Sequence, residues 1–228
     1  MHLFFDLDNT LWDFDANSRH VLSQLFWEYG MNAKLGTDFE TFYAKYHKIN
    51  DEMWHLYYFK KIEKSELRYK RFYDSFLFFN YDDLLLSKKM AEDYLKHSPY
   101  SKQLKPGCIE ILEHFGKKYD LHIITNGFTE VQNIKLDNCG LRKYFSTIII
   151  SEEYCLTKPH PEIFQLAETL AKTTSGKCIM IGDNWVSDIE GAIGAGWKAV
   201  YYNYNNTEHA HENVQRILHL SELKNLIA

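Results

Sequence analysis

No apolar run in this sequence approaches the length needed to cross a bilayer, and no two cysteines form a C-x-x-C pair. The four cysteines, Cys108, Cys139, Cys155 and Cys178, lie far apart. That spacing disfavours a metal knuckle or a disulfide scaffold and reads as reduced, buried thiols. A basic leader is missing as well, because Asp6 and Asp8 interrupt the apolar start, so no secretory signal is read. Positive charge is in deficit, 26 Lys+Arg against 31 Asp+Glu, for a net charge of −5. An acidic balance disfavours a nucleic-acid surface, yet it permits a small anion held by a few local groups. Repeats and low-complexity tracts are absent. The expectation is a cytoplasmic, globular monomer or homodimer whose partner is a small molecule, with neither a nucleic acid polymer nor a membrane.

What is present is ample apolar material, 45% of residues, enough for a sizeable core. Leu3 to Leu7 reads as a short buried strand. From about residue 15 to 97 every periodicity is helical. Val21, Leu22, Leu25, Phe26 and Tyr29 share one face. Phe39, Phe42, Tyr46, Ile49, Met53 and Trp54 share another. Tyr69, Phe72, Tyr73 and Phe76 form a third stripe, which Ser65 is expected to cap. A fourth helix spans roughly Asp83 to His97. After "LKPG" the pattern changes. "LHIIT", "STIIIS", "KCIMIGD" and "KAVYYN" read as strands alternating with helices, which predicts a parallel sheet with right-handed crossovers. The layout is therefore one α/β core, residues 1–14 and 98–228, with a helical insertion at 15–97.

Three of the strands end in polar groups. Asp6 and Asp8 follow the first, Thr125 and Asn126 end the second, and Asp183 with Asp188 follows "KCIMIGD"; Lys158 lies in the loop after "STIIIS". Any one alone reads as a turn or cap residue. Together they converge on the carboxyl edge of one sheet, where open α/β proteins bind ligands. Clustered carboxylates need a cation, and hard oxygen ligands favour Mg2+. A lysine and a hydroxyl beside them suit a phosphate. Carboxylates, Mg2+, Lys158 and Thr125 together describe a phosphoryl-transfer site.

Four segments resemble one known family. "DLDNT" is similar to the D-x-D-x-T signature of the haloacid dehalogenase-like hydrolases, and "ITNG", "TKPHPEIF" and "GDNWVSD" resemble their second, third and fourth motifs in order. The resemblance implies a Rossmann-like parallel sheet with a helical cap inserted after the first strand. It implies Asp6 as the nucleophile of an aspartyl-phosphate and Asp8 as general acid and base. Thr125, with the Asn126 backbone, is implied as phosphate binder, and Lys158 as the group that neutralises charge. Mg2+ would be held by Asp6, the Asp8 carbonyl and Asp183, with Asp188 a further or more distant carboxylate. Because dehalogenating members lack the second Asp, Asp8 favours a phosphatase. Two positions depart from the pattern, Asn9 where many members have Gly and His160 where Asp is common.

The junction "TLWDF" resembles that of noncanonical pyrimidine nucleotidases. This implies a pyrimidine nucleoside 5′-monophosphate as substrate, with Trp12, Asp13 and Asn17 near the mouth of the site. Trp12 reads as packing between core and cap, with a base-stacking platform as the alternative. Phosphoglycolate or sugar-phosphate phosphatase, phosphomutase, 2-haloacid dehalogenase and a non-catalytic binding protein remain as alternatives. His209 and His211 have no third ligand in view and read as solvated loop residues.

Overall fold

The computed structural model describes residues 1–209, 212 and 214–227. In chain order the elements are β1 (His2–Phe5), α1 (Phe14–Glu28), α2 (Met31–Leu35), α3 (Phe39–Tyr58), α4 (Lys64–Phe78), α5 (Leu84–His97), α6 (Cys108–Phe115), β2 (Asp120–Thr125), α7 (Thr129–Asn138) and β3 (Thr147–Ile150). They continue with α8 (Pro161–Leu170), β4 (Cys178–Gly182), α9 (Gly191–Gly194), β5 (Lys198–Tyr202), β6 (Gln215–Ile217) and α10 (Leu223–Leu226). The chain divides into two compact units, Met1–Phe14 with Lys102–Ala228, and Asp15–Ser101.

The first unit is built on a six-stranded sheet of order β3-β2-β1-β4-β5-β6, parallel throughout. Strands β1 to β5 are mostly apolar because both faces of the sheet are covered there. Alternate residues divide between two cores, as the two-residue strand period requires. Leu3, Phe5, Ile123, Ile181 and Val200 lie in one. Phe4, Ile124, Met180 and Tyr201 lie in the other. The chain runs outward from β1 through β2 to β3, then returns to the other side of β1 for β4, β5 and β6. The order thus reverses at β1 and β4, so the loops after these two strands flank the crevice where such sheets take ligands.

The helical unit has an aromatic interior. Phe26, Phe42, Tyr46, Phe72, Phe76 and Tyr94 are all buried in its core, with Tyr46 and Phe72 rings 5.0 Å apart. Asp83 caps α5 by accepting from the Leu86 N–H at 2.8 Å.

Some details differ from the sequence reading. Ser65 lies inside α4 and caps nothing, since the helix already begins at Lys64. Tyr69 and Tyr73 are only half-buried, as they flank the stripe rather than belong to it. The short elements α2 and β6 carry too few residues to show a period. All four cysteines are free, but only Cys108 and Cys178 are buried. Cys139 is intermediate and Cys155 exposed. His209 stacks on Trp185, ring centroids 5.2 Å apart, while His211 falls outside the described residues.

Candidate active site

The site begins where β1 ends. Asp6 continues the pairing with β4, its N–H donating to the Ile181 carbonyl at 2.9 Å. The chain then turns back sharply, the Leu7 carbonyl accepting from the N–H groups of Leu11 and Trp12 at 3.0 and 2.8 Å. Within this turn Asn9 has φ 60°. Asn tolerates the left-handed region better than most residues, which suits it to this position.

Lys158 is the hub of the buried charge. Its Nζ lies 2.7 Å from Asp6 Oδ1, 2.6 Å from Asp188 Oδ1 and 2.7 Å from the Ile124 carbonyl, and the residue is 1% exposed. The Asn126 side chain holds the loop that delivers it. Oδ1 accepts from the Lys158 N–H and Nδ2 donates to the Lys158 carbonyl, both at 2.9 Å. Asp183 follows β4 directly and accepts from Thr10 Oγ1 at 3.2 Å. Asp188 stands on a wide helical turn, Trp185–Glu190, a geometry common at functional sites. It accepts from the Asn184 N–H at 3.0 Å and from Ser187 Oγ at 3.1 Å. Gly182 makes room for it, because a Cβ there would lie 2.2 Å from Asp188 Oδ2.

Carboxylate oxygens of Asp6, Asp183 and Asp188 lie within 4.8 Å of one another. Burial pushes the Asp6 carboxyl up to about 7 against the pull of Lys158, with Asp188 and Asp8 adding to the rise. Burial, then Asp6 and Asp188, holds the Asp183 carboxyl well above the ordinary carboxylate range. Burial opposes the charge on Lys158, but Asp188 and Asp6 outweigh it and raise its pKa to about 12. Were all three carboxylates ionised, the one ammonium would leave two negative charges unbalanced. Buried charge of that kind is costly unless compensated. The donor set, all hard oxygens, fits a divalent cation of the Mg2+ type.

Asp8 faces elsewhere. Its Oδ1 accepts from Lys135 Nζ at 2.6 Å and its Oδ2 from Gln132 Nε2 at 2.9 Å, and its side chain is 30% exposed. The same Gln132 amide donates to Thr125 Oγ1 at 2.6 Å, and the Gly127 N–H does so at 3.3 Å. A hydroxyl has two acceptor sites and one proton. With both acceptor sites used, the Thr125 O–H is left to donate, as an anion binder requires. Gln132 and Lys135 both sit on α7, whose N-terminal Thr129 N–H is capped by Glu152 Oε2 at 2.9 Å.

Asp6, Asp183, Asp188 and Lys158 are thus brought together, with Asn126 holding the Lys158 loop and Thr125 linked to Asp8 through Gln132. Of the three residues expected at the mouth, Trp12 and Asp13 belong to the sheet unit and Asn17 to the helical unit. Trp12 is fully buried in the apolar core, with Lys135 Nζ 4.1 Å from its ring centroid. That corrects the stacking reading, since a covered ring cannot receive a base. Asp13 is paired with the buried Lys105 at 2.9 Å. Asn17 is buried on α1, in the helical unit. Sequence reasoning missed Thr10, Gln132 and Lys135. Thr10 is the fixed Thr of D-x-D-x-T, whereas Gln132 and Lys135 show only as polar residues one turn apart on a helix.

A parallel α/β sheet carrying a buried carboxylate–lysine centre at the carboxyl edge of β1 and β4 defines a hydrolase of the phosphate-ester or halide-displacing type. The family model described as haloacid dehalogenase-like hydrolase matches residues 1–196, and the chain belongs to that family. It is 33% identical over 208 residues to pyrimidine 5′-nucleotidase PynA of Streptococcus pneumoniae, covering 90% of this chain and 85% of that one. To pyrimidine 5′-nucleotidase YjjG of Escherichia coli it is 30% identical over 207 residues, covering 90% and 87%. The magnesium-bound HAD-hydrolase YfnB of Bacillus subtilis superposes with a TM-score of 0.89 at 25% identity, covering 99% of this chain and 97% of that one. No helix among the described residues is long and apolar enough to cross a membrane.

Proposed function

We propose that the chain is a Mg2+-dependent phosphatase that hydrolyses pyrimidine nucleoside 5′-monophosphates through a phosphorylated Asp6. The observation that carries this is the pair Asp6 and Asp8. They stand two residues apart, one beside Lys158 in the acidic centre and the other held by α7 next to Thr125. One carboxylate is placed to attack and the other to move a proton.

In the first step an Asp6 carboxylate oxygen attacks phosphorus and the bond to the nucleoside oxygen breaks. Asp8 gives its proton to that departing oxygen. In the second, the Asp8 carboxylate takes a proton from water, the water oxygen attacks phosphorus, and the bond to Asp6 breaks. Inorganic phosphate leaves and Asp8 is again protonated, so both residues return to their starting state. Thr125 donates its O–H to a phosphoryl oxygen, and Lys158 offsets charge on Asp6 and the transferring group. Asp6, the Asp8 carbonyl and Asp183, with Asp188 behind them, would hold Mg2+. When bound it neutralises the carboxylates and the developing phosphoryl charge. The helical unit, residues 15–97 in the sequence reading, is taken as the cap of this family.

The preference for pyrimidine nucleotides rests on the names of the PynA and YjjG relatives and on the "TLWDF" junction, not on Trp12. The test is kcat/KM for 5′-UMP, 5′-CMP, phosphoglycolate and sugar phosphates with Mg2+. The nucleotides are expected to lead by about tenfold or more, which corresponds to about 1.4 kcal/mol of extra transition-state binding. A lead for phosphoglycolate removes the nucleotidase assignment. Hydrolysis of none of them removes the phosphatase.

A further inference from the structure

Helix α7 carries two buried polar side chains to which the mechanism above gives no part. Gln132 is 0% and Lys135 3% exposed. Three residues apart, they share one helical face. Each reaches one oxygen of Asp8, at 2.9 and 2.6 Å. The second N–H of Gln132 goes to Thr125 Oγ1 at 2.6 Å, so both amide protons are committed. Its Oε1 is buried with no partner among the described residues, which is unfavourable by itself. Gly127 provides the passage, because a Cβ there would sit 2.3 Å from Gln132 Nε2. Lys135 Nζ rests over Trp12, 4.1 Å from the ring centroid, so the buried indole is the platform of this ammonium. Apolar residues of similar shape would anchor α7 without desolvating an amide and an ammonium. Anchoring alone therefore does not account for Gln132 and Lys135.

We propose that Gln132 and Lys135 are positioning residues, a clamp from α7 that fixes both oxygens of the Asp8 carboxylate and ties it to Thr125. The carboxylate torsion of Asp is otherwise broad. Each carboxylate oxygen offers two acceptor sites, and the clamp occupies one on each. One site per oxygen remains for the proton that passes to the leaving oxygen. The link to Thr125 sets the distance between the phosphate binder and the acid. The inference rests on the phosphatase reading above.

The test compares two esters on the full-length chain with Mg2+. The nucleoside oxygen of 5′-UMP leaves poorly without a proton, whereas the p-nitrophenolate of p-nitrophenyl phosphate leaves unaided. Lys135→Met and Gln132→Leu should lower kcat/KM for 5′-UMP by about ten- to hundredfold, part of the usual worth of a general acid. The loss on p-nitrophenyl phosphate should be clearly smaller, with KM for both esters little changed. Lys135→Arg, which keeps a cationic donor, should restore part of the loss. Thermal unfolding identifies the variants that fold. Equal losses on both esters in a folded variant, or no loss on either, overturn the clamp. If neither Lys135→Met nor Gln132→Leu folds, the two residues are structural and the clamp is again overturned. The underlying reading fails separately, when the unmodified chain hydrolyses neither ester.

Discussion

Asp6 and Asp8 are two residues apart in sequence and occupy opposite environments. Asp6 is almost fully buried among Asp183, Asp188 and Lys158, and burial pushes its carboxyl up to about 7. Asp8 is partly exposed and held by two donors from one helix. The tight turn after Leu7 separates them. The lesson is that adjacent carboxylates are divided by their partners. A group crowded by like charge depends on a cation, whereas a group held by neutral and cationic donors already has its charge compensated.

The most severe break of this contrast is Asp6→Asn. The amide is no nucleophile, so turnover of 5′-UMP should vanish while thermal unfolding shows an intact fold. Near-normal turnover would refute the covalent route. Asp8→Asn should be next. Its kcat/KM for 5′-UMP is expected to fall by about 10²–10⁴, the usual worth of general acid–base help. A loss below tenfold would leave Asp8 without that role.

Metal removal separates the two residues in another way. EDTA should abolish turnover and Mg2+ restore it. Mg2+ at about a hundred times its dissociation constant should also raise the Tm of metal-stripped protein by roughly 5–10 °C, from about 2.7 kcal/mol of linkage. Asp183→Ala should lose that rise and Asp8→Asn should keep it, since the Asp8 side chain lies outside the acidic cluster. A rise that survives Asp183→Ala would misplace the ion.

A smaller effect sharpens what burial does where it outweighs a nearby carboxylate, here Asp120. His122, on β2, is buried, with its Nε2 3.0 Å from His2 Nδ1. Burial, with His2 beside it, pulls its pKa from the ordinary 6.5 down to about 4. The folded state therefore favours the neutral ring. Its contribution to stability is complete above pH 6.5 and is lost as pH falls toward 4. Between pH 7 and 5 the Tm of the unmodified chain should drop more than that of His122→Phe, by on the order of a few degrees. Parallel curves would show that His122 is not neutralised by the fold.

The strands and most helices were legible because the sheet is buried on both faces and the helical unit has a strong apolar period. Asp6 and Asp183 were legible because each directly follows a strand, and Lys158 and Asp188 because they lie in the segments that come next. Gln132 and Lys135 were not, since a polar residue on a helix looks the same in sequence whether it faces water or a carboxylate. Trp12 was ambiguous for a related reason. An aromatic beside a motif fits a core or a base, and its full burial, with Lys135 over the ring, shows that it is covered. The short α2 and β6 offered no period to read.

The central claim is that phosphate passes through Asp6. It is tested most directly by incubating Asp8→Asn with p-nitrophenyl phosphate and Mg2+, quenching in acid, and mapping peptides by mass. The leaving group needs no proton, so the first step should proceed while the second stalls. The account predicts one added phosphoryl group on the peptide that contains Asp6, and none in the Asp6→Asn, Asp8→Asn double variant. A released burst of p-nitrophenol with no phosphoryl group on that peptide, or with one elsewhere in the chain, would contradict it.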